Sequence, residues 1–137
     1  MARRTAMTSE AGMQMVAAHH VLPVRLALAG PEGGPRRIDG AWWPRSHDLR
    51  DELPSLLAAL SARWGRITRV TVDGTQWLAG PRRMAVAGRV VHINRSAAAA
   101  DRRRICLLSY GVGRCDLVVV PPHTPVDEAA RVMAERA

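Results

Sequence analysis

Apolar residues recur at intervals of three or four in the middle of the chain, and this is the clearest periodic pattern in the sequence. They fall on one face of a helix with 3.6 residues per turn and comprise Leu49, Leu53, Leu56, Leu57, Leu60 and Trp64. Ser46 or Asp48 can cap the start of this helix, and Gly65 can end it. Pro54 removes a hydrogen bond, so we expect either a short turn at 48–52 before the main helix or a kink at the proline.

Alternation of apolar and polar residues predicts strands on both sides of this helix. The predicted strands lie at 24–29, 37–43, 67–72, 84–93, 102–110 and 114–120. The glycines in 111–113 are typical of a hairpin turn, and Pro125 is placed to begin a final helix. The order ββαβββ(β)α predicts an α+β fold with a single antiparallel sheet of about five to six strands and two helices packed on one face.

The length of 137 residues fits one domain, because independent cores form at roughly 100–200 residues. Residues 1–21 are interpreted as a flexible amino-terminal tail and residues 22–137 as a single α+β domain. Thr8, Ser9 and Glu10 interrupt the apolar run that a secretory signal needs. The sequence also lacks the roughly 18 consecutive apolar residues of a membrane span, so we expect no membrane partner.

Two cysteines, Cys106 and Cys115, flank the predicted hairpin turn. With a three-residue turn, Cys106 faces Val118 and the two sulfurs lie on opposite faces of the sheet. With a two-residue turn, they share a face but lie well apart along the ladder. Neither register brings the Cα atoms within the roughly 7 Å that a disulfide needs. We therefore predict two free thiols, a reducing compartment and a cytoplasmic location.

The outward face of the hairpin also predicts a homodimer, because it carries apolar residues that a monomer would leave in contact with water. In the register with a three-residue turn, these residues are Cys106, Leu108, Tyr110 and Val118. Pairing of two copies through this outer sheet face would cover them.

The chain carries a formal net charge of +8, and all 20 basic residues are arginine. A GC-rich coding sequence replaces lysine by arginine without selection for binding, so scattered solvated arginines explain part of this charge. A basic domain still attracts phosphate backbones or an acidic protein through its long-range field. The alternative function is nucleic-acid association through the arginine clusters Arg82, Arg83, Arg102, Arg103 and Arg104.

The densest group of unusual residues lies just before the predicted helix, at Trp42, Trp43, Arg45, Ser46, His47 and Asp48. Consecutive tryptophans on a strand point to opposite faces, so one of them should be partly exposed beside Arg45. A stacking surface, a guanidinium fork and a helix start suit a phosphate, carboxylate or nucleotide-like ligand. In the alternative, structural interpretation, the second tryptophan packs under the carboxy-terminal helix, Arg45 pairs with Asp48, and His47 is solvated.

The sequence contains no recognisable catalytic or cofactor motif. His92, His123 and the two cysteines show no zinc-ligand spacing, and no glycine-rich phosphate loop or nucleophile elbow occurs. We therefore predict a small binding or regulatory domain without catalytic activity, cofactor or metal. The third hypothesis is an enzyme that uses His47 with either Asp48 or Asp39 as an acid–base pair.

Three segments of the chain are similar to a known family. They are DGAWWPRSHDLRDELPSLLAAL (39–60), RWGRITRVTVD (63–73) and RCDLVVVPPHTP (114–125), of which AWWPRS is the most distinctive motif. On these residues the chain resembles an actinobacterial family of small domains of unknown function, from about residue 22 to 134. The resemblance implies a shared single-domain fold and no established activity, cofactor or catalytic residue. The long amino-terminal tail and the run from Asp101 to Arg104 depart from the usual pattern.

Overall fold

The structure is a computed structural model that describes residues 22–30 and 38–137. The predicted amino-terminal tail, residues 1–21, lies outside the described residues. The strands are β1 (Leu26–Leu28), β2 (Gly40–Trp42), β3 (Ile67–Asp73), β4 (Arg83–Val86), β5 (Arg89–Ser96), β6 (Arg104–Ser109) and β7 (Gly113–Val119). The α-helices are α1 (Leu49–Trp64) and α2 (Val126–Arg136), and a 3₁₀ turn spans Ala99–Asp101.

The seven described strands form one mixed sheet in the order β1-β2-β7-β6-β3-β5-β4. The pairs β2–β7 and β3–β5 are parallel, and the other neighbouring pairs are antiparallel. The prediction of a single antiparallel sheet of five to six strands is therefore wrong. Local patterns predicted hairpin links, but α1 carries the chain across the sheet, so that β3 does not lie beside β2. The last strand, β7, fills the position next to β2.

A tight turn divides the segment 84–93, which we predicted as one strand, into β4 and β5. Ala87 and Gly88 have φ angles of 52° and 78°, and a type I′ hairpin turn requires positive φ at both central residues. The register pairs Met84 with Val91, so both side chains face the core. Alanine rarely adopts positive φ, and the turn therefore has only a weak signal in the sequence.

Helix α1 packs its leucine face on the sheet, which confirms the periodicity in the sequence. Its buried residues are Leu49, Leu53, Leu56, Leu57, Leu60 and Trp64, and they form one core with the inward side chains of the strands. Asp48 caps the start by accepting a hydrogen bond from Arg50 N, and Gly65 ends the helix. The helix continues through Pro54, so the separate turn expected at 48–52 is wrong. Burial of the leucines outweighs the one hydrogen bond that the proline removes.

Helix α2 contacts β1 and β2 on the sheet face opposite α1. Trp42 belongs to the core beneath α1, so its neighbour Ala41 faces the other way. Ala41 and Ala129 of α2 are both fully buried, and Val118, beside Ala41 in the register, lines a cavity with Val132 of α2. The prediction that both helices pack on one face is therefore wrong. The apolar spacing of a helix identifies the face that it buries, but not the side of the sheet that receives it.

The hairpin of β6 and β7 confirms that the two cysteines lie on opposite faces of the sheet. Cys106 pairs with Asp116 in the register, and Cys115 is buried in the core beneath α1. The predicted partner of Cys106, Val118, is wrong because the turn occupies residues 110–112, one position earlier than expected. Both thiols are free. Among the described residues, neither α-helix is long and apolar enough to cross a membrane.

Candidate functional site

The predicted ligand-binding residues Trp42, Trp43 and 45–48 are called the ligand corner. Its two tryptophans have different surroundings. Trp42 is 1% exposed and stacks on Trp77, with 5.5 Å between ring centroids and 19° between planes. Trp43 is half-buried, and the guanidinium of Arg25 lies 3.7 Å from its ring centroid. Its Nε1 donates a hydrogen bond of 3.4 Å to Pro122 O, beyond the end of β7. Trp42 is thus a core residue, and Arg25 covers the stacking surface that Trp43 would offer.

The next part of the corner stabilises the start of α1. The Glu52 carboxylate accepts hydrogen bonds from Arg45 N at 3.0 Å and from Ser46 Oγ at 2.8 Å. Asp48 forms an ion pair of 3.1 Å with Arg50, not with Arg45 as the structural interpretation of the sequence expected. Hydrogen bonds from the Arg50 side chain and backbone lower the pKa of Asp48 below its ordinary value. The polar groups of Arg45 N, Ser46 and Asp48 are therefore already bonded to other residues of the chain.

His47 extends away from this network and lines a cleft of about 500 Å³. The other lining residues are Asp73, Thr75, Gln76, Trp77, Leu78, Arg102, Arg103 and Pro121. His47 Nδ1 lies 2.8 Å from Gln76 O, and because a carbonyl oxygen only accepts, this nitrogen carries the proton. The His123 ring lies beside it, 5.6 Å from centroid to centroid. The volume falls within the range of small-ligand sites in proteins.

The cleft lies at the carboxyl ends of the parallel strands. The strands β2, β7, β3 and β5 run in one direction, because β7 and β3 are both antiparallel to β6. The segment after β2 contributes His47, and the segment after β7 contributes Pro121. Asp73 at the end of β3 and residues 75–78 after it also line the cleft. Open sheets with parallel strands commonly bind ligands beyond these ends, where the connections diverge. The crossover that invalidated the antiparallel prediction thus also creates this cleft.

Asp73, at the end of β3, organises the floor of the cleft. It is 3% exposed, and its carboxylate accepts hydrogen bonds from Thr75 Oγ1 at 2.6 Å, Thr75 N at 2.9 Å and Arg103 N at 2.9 Å. Burial raises the pKa of Asp73, but these hydrogen bonds and the charge of Arg102 outweigh burial, and the pKa lies below its ordinary value. Asp73 therefore holds the turn after β3 against the start of β6.

The structure separates the arginines of the predicted nucleic-acid set. Arg102 and Arg103 line the cleft, where Arg103 has a φ of 55° and its N–H is held by Asp73. Arg83 and Arg104 lie on β4 and β6 with exposed side chains. Arg82 precedes β4, and its carbonyl accepts a hydrogen bond from Ile93 N. Of this set, only Arg102 and Arg103 line the same cleft as His47.

Two buried polar atoms of residues that line the cleft have no hydrogen-bond partner within the described part of the chain. They are Gln76 Oε1 and Trp77 Nε1, and Trp77 is 6% exposed overall. Buried polar groups in folded proteins are almost always hydrogen-bonded, because an unpaired one costs about 1–3 kcal/mol. Both atoms are buried, so a molecule in the cleft would reach them only after these side chains rearranged.

Neither Cys106 nor Cys115 lines this cleft. Burial raises the pKa of the Cys106 thiol to about 11 and that of Cys115 to about 12, so both thiols are protonated and weakly nucleophilic at neutral pH. Within residues 22–30 and 38–137, no three histidine, cysteine or acidic side chains come close enough to hold a metal ion. The cleft therefore offers hydrogen bonds and positive charge.

Comparison with known proteins identifies a family. A family model described as a family of unknown function (DUF5994) matches residues 25–136. The chain belongs to this family. The DUF5994 match begins at Arg25, which covers Trp43, and ends at Arg136, the last residue of α2, so the family unit coincides with the sheet and both helices. Comparisons with curated proteins and with solved structures gave no match.

In this DUF5994 chain, the sequence analysis named His47 as a ligand-binding residue and Arg102 and Arg103 as nucleic-acid-binding residues. It missed Asp73 and the turn at 74–78 that follows it. Asp73 was interpreted only as the end of a strand, because Asp followed by Gly is an ordinary turn signal. Thr75 two residues later was the available signal, since aspartate accepts hydrogen bonds from the backbone two residues on. Nothing local indicates that Arg103 N supplies the third hydrogen bond.

We expect Asp73→Asn to lower the free energy of unfolding at pH 7 by about 2–4 kcal/mol, because an amide nitrogen would face a backbone donor. The lowered pKa means that the stabilisation is present above the unfolded pKa of about 3.9 and is lost as pH falls through the folded value. Urea unfolding at pH 7 and near pH 2 should show a difference between wild type and variant that shrinks in acid. A difference that is unchanged in acid would contradict this role.

Proposed function

We propose that this chain is a binding domain without catalytic activity, and that its cleft binds a small anion carrying a carboxylate or phosphate group. The observation that carries the proposal is a pair of buried polar atoms, Gln76 Oε1 and Trp77 Nε1, that have no hydrogen-bond partner among the described residues. Both residues line the cleft that also contains Arg102 and Arg103. Guanidinium groups present several N–H donors in a plane and form the strongest hydrogen bonds with carboxylates and phosphates.

The charges of the cleft favour an anion. Among the described residues, Asp73 is the one acid that lines the cleft, and three internal donors already bind both oxygens of its carboxylate. His47 uses Nδ1–H to bind Gln76 O, so Nε2 is the ring atom left for a ligand. With Arg102 and Arg103, the cleft presents positive charge around a floor whose negative charge is internally compensated.

The two unpartnered atoms refine the ligand class. Trp77 Nε1 can only donate a hydrogen bond and Gln76 Oε1 can only accept one, so a ligand that satisfies both carries an oxygen acceptor and a hydroxyl or amino donor. A phosphorylated polyol or a hydroxy acid has both features. Both atoms lie beneath the accessible surface, so binding requires a small shift of the segment 75–78.

Binding fits these residues better than the acid–base chemistry of our third hypothesis. Asp48 is paired with Arg50, and the carboxylate of Asp39 accepts a hydrogen bond from Asp116 N at 2.9 Å. Neither acid lines the cleft with His47. The carboxylate that does line it, Asp73, has a lowered pKa and is a weak proton acceptor.

We also propose the regulatory role, the cytoplasmic location and the actinobacterial source that we expected from the sequence. Two free thiols with raised pKa values fit a reducing compartment. A domain that binds a small anion without changing it can report the concentration of that anion to a partner, which is the simplest regulatory use of such a cleft.

The proposal is tested by titrating the full chain calorimetrically with inorganic phosphate and with glycerol 3-phosphate at constant ionic strength. We expect glycerol 3-phosphate to bind more tightly, and the variant Arg102→Gln/Arg103→Asn to bind it at least about tenfold more weakly. Asparagine is chosen at position 103 because it tolerates positive φ.

The matched control is Arg131→Gln/Arg136→Gln, which removes two exposed arginines from α2 and lowers the net charge equally. This control should bind like the wild type. Equal weakening in both variants would show attraction by overall charge alone. That result, or no heat from either phosphate compound at millimolar concentration, would overturn the proposal.

A further inference from the structure

Five strands present a broad sheet face that the described helices leave open except at the end of β7, where α2 approaches Val118. Side chains alternate along a strand, so the neighbours of the core residues in β4, β5, β3, β6 and β7 point away from α1. Helix α2 packs over the β1–β2 end of this outer face and reaches Val118 at the end of β7. The outward positions are Arg83, Ala85, Val90, His92, Asn94, Arg69, Thr71, Arg104, Cys106, Leu108, Arg114, Asp116 and Val118.

One cross-strand row on this face is predominantly basic. The register places these five residues side by side across the five strands: Arg83, His92, Arg69, Leu108 and Arg114. Neighbouring strands lie about 4.8 Å apart, so the row spans about 19 Å and its arginines recur at roughly 10 Å. Arg104 adds a fourth guanidinium on β6. No local pattern predicts this row, because its members are distant in the chain.

Most of the positive charge on the outer face is uncompensated. Within the described part of the chain, the guanidiniums of Arg69, Arg83 and Arg104 form no hydrogen bond, ion pair or ring contact. Among the outward positions named above Asp116 is the one carboxylate, and Arg114 binds it at 2.7 Å. The charge of Asp101, before β6, also acts on Arg114. Three further described acids, Asp39, Asp73 and Asp101, lie beside the strand ends. The others lie at the helices: Asp48, Asp51, Glu52, Asp127, Glu128 and Glu135.

We propose that this outer face binds single-stranded nucleic acid through its phosphate backbone, a function separate from the anion-binding cleft. The row of exposed arginines is complementary to a polyanion, and release of counterions drives such binding. Val90 and Leu108, 55% and 38% exposed, provide apolar contacts between the charges on which bases can lie. Arg83 and Arg104 come from the arginine set predicted in the sequence, and Arg69 and Arg114 extend it.

Charge and shape favour this partner over the alternatives. A homodimer through the outer face would bring the unpaired Arg69, Arg83 and Arg104 of one copy against those of the other, and burying unpaired like charges is costly. A duplex is read by an element that protrudes into a groove, and this part of the sheet carries no described helix. Extended sheet faces accommodate single strands, whose bases can be splayed out.

The test measures fluorescence anisotropy of a labelled oligothymidine of about 20 nucleotides over a range of salt concentrations. We expect the full chain to bind it, with an affinity that falls steeply as salt rises. The variant Arg69→Gln/Arg83→Gln should reduce the log–log salt slope by about 1.4, since each phosphate contact on a single strand contributes about 0.7. At 0.1 M salt this corresponds to a roughly 25-fold loss of affinity.

Arg131→Gln/Arg136→Gln again serves as the charge-matched control and should retain the slope of the wild type. An equal loss in this control would assign the binding to overall charge and overturn the proposal. Tighter binding of the corresponding duplex would overturn the single-strand assignment. A dimer in sedimentation that Arg69→Gln/Arg83→Gln strengthens, without oligothymidine binding by the wild type, would assign the face to a second copy of the chain. Failure here leaves the glycerol 3-phosphate titration unaffected, because Arg69 and Arg83 do not line the cleft.

Discussion

Trp42→Ala is expected to lower the free energy of unfolding by about 3–5 kcal/mol, the range for removing a fully buried large aromatic side chain. Trp42 is 1% exposed and stacks on Trp77. Removing it leaves a cavity between α1 and the sheet and removes one face of support from Trp77, which also lines the cleft. Urea unfolding monitored by far-ultraviolet circular dichroism gives the free energy directly.

The neighbouring Trp43 provides the control. It is half-buried beneath the Arg25 guanidinium, outside the core cluster, so Trp43→Ala should cost about 1–2 kcal/mol. The contrast distinguishes a core role for Trp42 from the ligand-stacking role that the sequence suggested for either tryptophan. Equal losses in the two variants, or a loss below 1 kcal/mol for Trp42→Ala, would contradict the core assignment.

Gly40→Ala is expected to cost about 3 kcal/mol, at the upper end of overpacking effects. Gly40 is buried in β2 between Leu28 of β1 and Leu117 of β7, and a Cβ atom there would overlap the carbonyl of Ala27. The obstacle is backbone, so a side-chain rotation cannot relieve it. The edge strand β1 must move away, and its apolar contacts with the core are lost.

Hydrogen exchange locates this damage. The Ala29 amide donates to Asp39 O at 2.8 Å at the end of the β1–β2 pair, and it should exchange much faster in Gly40→Ala. Gly80→Ala is the matched control, because the nearest atom to its added Cβ is a side-chain nitrogen of Arg95 at 3.4 Å, which is an ordinary contact distance. Its effect on stability should stay within about 0.5 kcal/mol. Normal protection of Ala29 in Gly40→Ala would contradict the predicted clash.

Local patterns in the sequence predicted both helices and most strands, but they missed the turn between β4 and β5 and the arrangement of the sheet. The spacing of Leu49 to Trp64 predicted α1, because a single amphipathic face is encoded by neighbouring residues. The pairing of β2 with β7 joins Gly40 to Leu117, and no short-range pattern encodes such a contact. Hairpins were therefore assumed where the chain makes crossovers, and an antiparallel sheet followed from that assumption.

The candidate site was predictable to the same extent. His47 was identified because it lies among unusual residues, and Arg102 and Arg103 because they form a charge run. Their convergence in one cleft depends on which strand ends share an edge of the sheet, which follows from the topology. The basic row on the outer face was hidden for the same reason, since its members come from five different strands.

The central position of β7 affects how the chain can fold during synthesis. The strands β1 and β2 pair with each other, and in the described sheet only β7 connects this pair to β6 and the remaining strands. A ribosome must therefore complete residues up to Val119 before the first two strands can join the rest of the sheet. Closure between such distant segments slows folding, and the early strands are exposed to misfolding and aggregation until β7 arrives.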